Sequence, residues 1–269
     1  MPKSVSLAES AVAVLETGPP RAKAAAARAS AVAWRAGRID RIGTAAPPGR
    51  PARPTRPDLR PPREVPRRRI TSGANGRIAL LHALAHIELN AIDLAFDIIA
   101  RFSNDALPRT FFDDWIAVGD DEARHYLMLD DRLTELGAAY GDLAAHDGLW
   151  QAAVETSDDL LARLAIVPLV LEARGLDVTP PMIARLRVVG DNRSADLLQT
   201  IHDDEIRHVA AGVRWFRHVC DRRGLEPAAT YRRLLRERFK GRLKPPFNRA
   251  SRDAAGLTPE FYQPGAEHR

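Results

Sequence analysis

Along much of this chain, apolar residues recur at alternating steps of three and four, the pattern of a helix with one inward face. The clearest stripe is Ile78, Leu81, Ala85, Glu88, Ile92, Ala95, Ile99 and Phe102, stepping 3-4-3-4-3-4-3. A second is Phe111, Trp115, Val118, Glu122, His125 and Leu129, and a third is Leu198, Ile201, Glu205, His208, Gly212, Trp215 and Val219. In each, a glutamate or histidine takes a seat that packing would give to an apolar side chain. A lone buried carboxylate is expensive because it loses its hydration, so such seats imply a compensating partner.

Caps and helix breakers set the expected boundaries. The first stripe starts after Ser72 or Asn75, either a suitable N-cap, and runs to about Phe102. The next helix follows Pro108 and runs to about Leu136, with Gly137 as the stop. After a loop over 141–148, a helix is expected from about Leu149 to Ala173, bent near Pro168 and ended by Gly175 and Pro180-Pro181. A short helix from Met182, a long one over Ser194–Arg222 and a last one near Pro227–Phe239 follow, then a tail at Lys244–Asn248. Upstream, Ser6–Thr17 and Arg21–Arg38 read as Ala-rich helices. Residues 43–69 hold eight prolines among arginines and read as an extended strap that either wraps the bundle or moves freely.

The expected organisation is a basic extension and strap over residues 1–70, a four-helix bundle over 71–225, and a C-terminal helix and tail over 226–269 packing on it. The fold class is all-α. Composition agrees: aromatic residues are only 6% of 269, against abundant Ala, Leu and Arg. Such a chain is long enough to bury a full core. No uninterrupted apolar run reaches the length of about 20 residues that a membrane span needs, and no secretory signal pattern opens the chain. With one cysteine, Cys220, no internal disulfide can form, which fits a cytoplasmic location; Cys220 is expected to pack.

Net charge is +5, unevenly spread. Residues 1–70 carry 15 Lys/Arg against 5 Asp/Glu, whereas the remainder carries 25 against 30. A basic arm could meet an anionic partner such as RNA, but no aromatic RNA-binding signature interleaves with the arginines, and a solvated arm is the plainer expectation.

The chemistry lies in a repeated pentad, Asp121-Glu122-Ala123-Arg124-His125 and Asp204-Glu205-Ile206-Arg207-His208, each D-E-x-R-H. Residues three apart share a helix face, so Glu122 projects with His125 and Glu205 with His208. A lone seam glutamate precedes each pentad: Glu88 by 34 residues and Glu172 by 33. Two repeated hairpins would supply four carboxylates and two imidazoles. Facing helices with that donor set can hold two metal ions, and carboxylate with imidazole suits iron or manganese. Thiolate zinc is excluded by the cysteine count. Asp121 and Asp204 are expected behind the ligands, steering a histidine tautomer, with Arg124 and Arg207 as their partners or at the surface. His202 can reach the ligand face one turn from Glu205 and is expected to support the site. His82 and His86, spaced i, i+4, lack a third metal ligand and read as ordinary hydrogen-bonded residues. Tyr126 and Tyr140 are assigned no redox role.

These six positions resemble the ferritin-like di-iron carboxylate superfamily. More closely, HALAHIELNAIDLAFD (82–97), DDEARHYLMLDDRL (120–133), residues 146–180 and DDEIRHVAAGVRWF (203–216) resemble an uncharacterised bacterial ferritin-like family, from about Arg53 to Tyr262. That family is distantly similar to bacterial tRNA hydroxylases. The resemblance implies a ferritin-like bundle, two irons and O2 or peroxide chemistry, with fold alone not fixing the substrate.

Three functions follow as expectations. The first is an O2-activating hydroxylase or monooxygenase fed by an external electron donor, since no flavin or nicotinamide fingerprint is present. The second is iron handling: ferroxidase, storage or peroxide scavenging. The third is a metal-free helical module whose arm binds RNA. No membrane partner is expected, and the chain should be a monomer or small homo-oligomer.

Overall fold

The structure, a computed structural model, describes residues 5–65 and 73–263. It is all-helical, with no β-strand among the described residues. The chain forms two compact units, Met1–Gln151 and Ala152–Arg269.

In the first unit, α1 (Leu7–Leu15) and α2 (Pro20–Arg35) precede the long hairpin of α3 (Ala74–Arg101) and α4 (Arg109–Glu135). The α1 start is a capping box: Ser6 Oγ accepts from Glu9 N at 3.3 Å, and Glu9 Oε2 accepts from Ser6 N at 2.7 Å. A proline at the first position opens α2, where its missing N–H costs nothing. Gly73 is the N-cap of α3 and Asn75 lies inside its first turn, while Ser72 falls outside the described residues. Gly119 lets α4 approach α3 closely, since a Cβ there would stand 2.6 Å from Phe96 Cε2.

The seam residues of α3 and α4 are buried, except Ile78, which is half-buried. Yet α3 is not merely striped: every residue from Leu89 to Ala100 is buried. The cause is the N-terminal region, because α1 packs on α3 and α2 packs on α4. This corrects the expectation of a solvated arm. Acidic residues on α4 attract its arginines: Arg21 pairs with Asp130 at 2.7 Å and Asp131 at 2.8 Å, and Arg35 pairs with Asp120 at 2.5 Å. Trp34 Nε1 donates to Asp113 at 2.7 Å.

The strap is extended and helix-free from residue 43 to Pro61, and it packs within this unit. Its Leu59 forms a parallel bridge with Ala145. Arg53 Nη1 lies 3.1 Å from Asp93 Oδ2 of α3 while Nη2 donates to Asn90 Oδ1 at 2.6 Å. Lys23, 1% exposed, also pairs with Asp93 and donates to Ala52 O at 3.0 Å. Residues 66–72 of the strap lie outside the described region.

The division between the units falls within α5 (Gly148–Glu155). The second unit then holds α6 (Leu160–Ile166), a π-helical run over Val167–Glu172, α7 (Ala173–Val188), α8 (Asn192–Arg222) and α9 (Pro227–Arg238), closed by α10 (Arg249–Ala254) and α11 (Pro259–Tyr262). Two expectations need correction here. The helix expected over Leu149–Ala173 is broken at Thr156–Asp159, because Asp159 caps a new start: its carboxylate accepts from Leu161 N at 3.2 Å and Ala162 N at 3.3 Å. Arg163, 1% exposed, spans the break by donating to Thr156 Oγ1 at 2.9 Å and Ala153 O at 2.6 Å.

Secondly, Gly175 and Pro180-Pro181 do not end a helix. They lie inside α7, which runs on to Val188 and absorbs the short helix expected from Met182. Pro180 cannot donate to the carbonyl four residues back. That carbonyl, Leu176 O, accepts instead from Asn248 Nδ2 at 3.2 Å, so a side chain of the tail replaces the lost bond. The bend expected at Pro168 takes the form of the π-helical run. Gly212 of α8 makes room for it, since a Cβ there would stand 2.4 Å from Pro168 Cβ. The α10 and α11 turns were not foreseen.

Among the described residues one helix, α3, is long and apolar enough to cross a membrane by length and composition, although 78% of the qualifying stretch is buried inside the protein. It also carries Glu88, Asp93 and Asp97 among its buried residues, as a core helix with ionic partners does.

Candidate metal centre

In the first unit, the α3–α4 hairpin brings Glu88, Glu122 and His125 together. Each offers a ligand atom, and these atoms lie within 4.8 Å of one another. His125 Nδ1 stands 3.3 Å from Glu88 Oε2 and 3.6 Å from Glu122 Oε2, the latter pair spaced i, i+3 on α4. All three are buried, with His125 at 0% exposure. Glu88 Oε2 is buried without a hydrogen bond in good geometry, despite its closeness to the imidazole.

Burial is the main influence on Glu88, and the neighbouring Glu122 charge adds to it, so its carboxyl titrates well above the ordinary range. Two carboxylates and an imidazole turned toward one small space, in a dry setting, form a donor set that a hard or borderline divalent cation would satisfy. The cluster fits a metal ion. Its donors do not by themselves select which one.

In the second unit, Glu205 and His208 lie on the buried seam of α8, with His208 Nδ1 at 3.7 Å from Glu205 Oε2. Glu172, half-buried, ends the π-helical run, which packs on α8. The repeat therefore recurs as a seam glutamate on one helix and a Glu-x-x-His face on another.

The residues assigned behind the ligands are placed as follows. Asp121 accepts from Arg124 at 3.0 Å, and Asp204 pairs with Arg207, so each pentad joins its own aspartate to its own arginine. His202 Nε2 stands 3.1 Å from Ser251 Oγ of α10, and burial lowers its pKa. His86 and His82 are hydrogen-bonded framework residues. His86 Nε2 lies 2.9 Å from the His146 carbonyl, which can only accept, so Nδ1 receives the Tyr140 hydroxyl at 2.8 Å. Burial pulls the His86 pKa down to about 4. His82 Nε2 accepts from Gly141 N at 2.9 Å. Cys220 is buried, and burial pushes its thiol up to about 11, so it packs rather than reacts.

Hydropathy did not single out Asp93 of α3 and Asp177 of α7, both with wholly buried side chains. A signal existed in their spacing, since each follows a seam glutamate by five residues.

The fold and site thus define an all-helical protein with a buried Glu/His cluster able to hold a metal ion. Its sequence matches the family described as "Protein of unknown function (DUF455)" over residues 16–263, and the chain belongs to that family. It is also 38% identical over 202 residues to an uncharacterized protein of Haemophilus influenzae, covering 73% of this chain and 70% of that one. No solved structure matches.

Proposed function

We propose that this chain is a ferritin-like di-metal carboxylate protein that activates O2, acting as a hydroxylase or monooxygenase in the cytoplasm. The observation that carries this reading is the buried Glu88–Glu122–His125 cluster, whose residue types and spacing recur in sequence as Glu172, Glu205 and His208. In this reading those six side chains hold two ions, iron by preference and manganese as the substitute, as a carboxylate-rich donor set favours. When bound, the metals would supply redox chemistry toward O2 or peroxide, with electrons from an external donor.

The chain's own part is to hold, neutralise and keep dry. Glu88 and Glu122 provide the negative charge that offsets the cations. His125 turns Nδ1 toward both carboxylates. The seam apolar residues, Leu81, Ile92, Trp115 and Leu129, exclude water around the triad's helices. Asp121 and Asp204, tied to Arg124 and Arg207, would limit how far the ligand turns can shift. The basic arm supports this reading over an RNA-binding module, because Arg21, Lys23, Arg35 and Arg53 are engaged with carboxylates of the same unit.

The test is anaerobic purification with elemental analysis, followed by O2 exposure. Wild-type protein should carry Fe or Mn and consume O2, and Glu122→Ala should lose both. Unchanged metal content in Glu122→Ala, or metal-free wild-type protein that takes up neither Fe(II) nor Mn(II), would overturn the assignment. Elution as a large shell on size exclusion would favour iron storage instead.

A further inference from the structure

The E-x-x-x-x-D spacing repeats in both units and is not used by the ligand set. Glu88 is followed by Asp93, and Glu172 by Asp177. At about 100° per helical residue, five steps turn the aspartate roughly 140° from the glutamate, onto the far side of its helix. There each aspartate meets cations from a distant end of the chain. Asp93 is held by Lys23 of α2 and Arg53 of the strap, the latter at 3.1 Å. Asp177 is held by Arg252 of α10 in a two-pronged pair, Nε to Oδ1 and Nη2 to Oδ2, both at 2.8 Å. Asn248 N donates to Asp177 Oδ1 at 2.9 Å, and the Arg252 guanidinium lies 4.6 Å from the Tyr262 ring centre and 4.9 Å from that of Phe247.

Stability alone does not call for charged pairs at these two seats. Removing buried charges from water offsets much of their attraction, and well-packed apolar residues serve a core as well. What a fixed ion pair adds is direction, since a fork of hydrogen bonds allows one rotation of the helix and few others.

We propose that Asp93 and Asp177 are matched positioning residues, each pinning the far side of its helix to a terminal segment and so aiming Glu88 or Glu172 at the metal. The inference rests on the metal reading above. The N-terminal helices with the strap, and the C-terminal tail, then have the same task, one in each unit.

Mn(II) binding by the full chain, with native helicity verified by circular dichroism, tests this. Asp93→Asn and Asp177→Asn should each weaken Mn(II) binding about 10- to 100-fold, the range for residues that support metal ligands. Asp97→Asn is the control: Asp97 is equally buried but pairs with Arg101 of its own helix at 2.7 Å, so this variant should lose melting temperature and keep wild-type affinity. Amide hydrogen exchange gives a readout independent of metal. It should quicken around Glu88 in Asp93→Asn and around Glu172 in Asp177→Asn, beyond any change in Asp97→Asn. Where an asparagine variant does not fold, Arg252→Lys keeps the charge and loses the fork, Arg53→Lys keeps the charge and loses the bridge from Asp93 to Asn90, and both should move the same readouts.

Wild-type affinity in folded Asp93→Asn and Asp177→Asn, or an equal loss in Asp97→Asn, would overturn the positioning role. If wild-type protein takes up no metal, the metal reading fails by itself and exchange decides the rest. Local quickening specific to the two aspartates would then support the pinning, and a pattern shared with Asp97→Asn would end it.

Discussion

The two units carry the same pattern, a glutamate and then Glu-x-x-His, 34 residues on in one and 33 in the other, on different backbones. In the first, Glu88 sits in the middle of an unbroken 28-residue α-helix. In the second, its counterpart Glu172 closes a six-residue π-helical run between two α-helices, in a segment that also contains a break and three prolines. A π turn carries about five residues between bonded groups instead of four, so it rotates everything that follows. Glu172 and Glu88 therefore reach seam positions by different routes. A side chain can thus reach the same kind of seat through the helix period in one place and through a distortion of it in another. Irregularity of that kind often marks a functional turn.

Acid acts on the first unit through a buried histidine. The folded His86 titrates near pH 4, against 6.5 for an ordinary histidine. Between those values the unfolded chain binds a proton that the native chain refuses, so stability falls as pH falls from 6.5 to 4. The loss from this group should reach about 3 kcal/mol. Urea midpoints measured from pH 7 to 4 should show it as a steeper fall in wild type than in His86→Gln, which removes this contribution and leaves the opposite one of Glu88, whose raised carboxyl takes up its proton first in the folded chain. His202 in the second unit is lowered as well and acts with the same sign.

Next in size are the two glycines that let helices close up. Gly212→Ala drives a methyl into the rigid Pro168 ring and should cost about 2–3 kcal/mol, whereas Gly119→Ala meets a Phe96 edge that can tilt and should cost about 1 kcal/mol. Thermal unfolding of the two variants would rank them, and a reversed order would contradict the tight fit at the π run. Asn248→Ser leaves α10 a capping oxygen but takes the donor from Leu176 O, and should cost about 1 kcal/mol in the second unit only. Smallest is Pro168→Ala, which returns an N–H to the segment; stability should change by less than about 1 kcal/mol. Its use is diagnostic. Hydrogen exchange over Val167–Glu172 should drop toward that of α3 if the proline sustains the π run, and stay unchanged if Gly212 packing alone does.

Much of the helical layout was legible because its signals are local and repeated. The 3-4 stripes of α3, α4 and α8 were visible, and Pro108, Gly137 and Pro227 marked ends close to those observed. Glu122 and His125 could be placed on one helix face, and Glu88 on the seam of its own helix, by counting alone, and the three do converge. The break before Leu160 left a readable trace, the Thr-Ser-Asp-Asp run ending in a cap, but apolar periodicity on both sides hid it. Pro180-Pro181 misled for the opposite reason. A local rule said stop, while the compensating donor lay 68 residues away, on Asn248. The arm was misjudged likewise, because the carboxylates that hold its arginines are scattered over α3 and α4.

The proline pair inside α7 therefore has a genetic consequence. Pro180 leans on position 248, whose side chain serves two helices at once: its amide nitrogen donates to Leu176 O, and its oxygen accepts from Ser251 N at 3.2 Å as the cap of α10. Across relatives a proline at 180 should therefore come with a donor side chain at 248, whereas an asparagine at 248 can persist without the proline as the cap of α10. A lineage that shortened its tail would be expected to have lost the proline first.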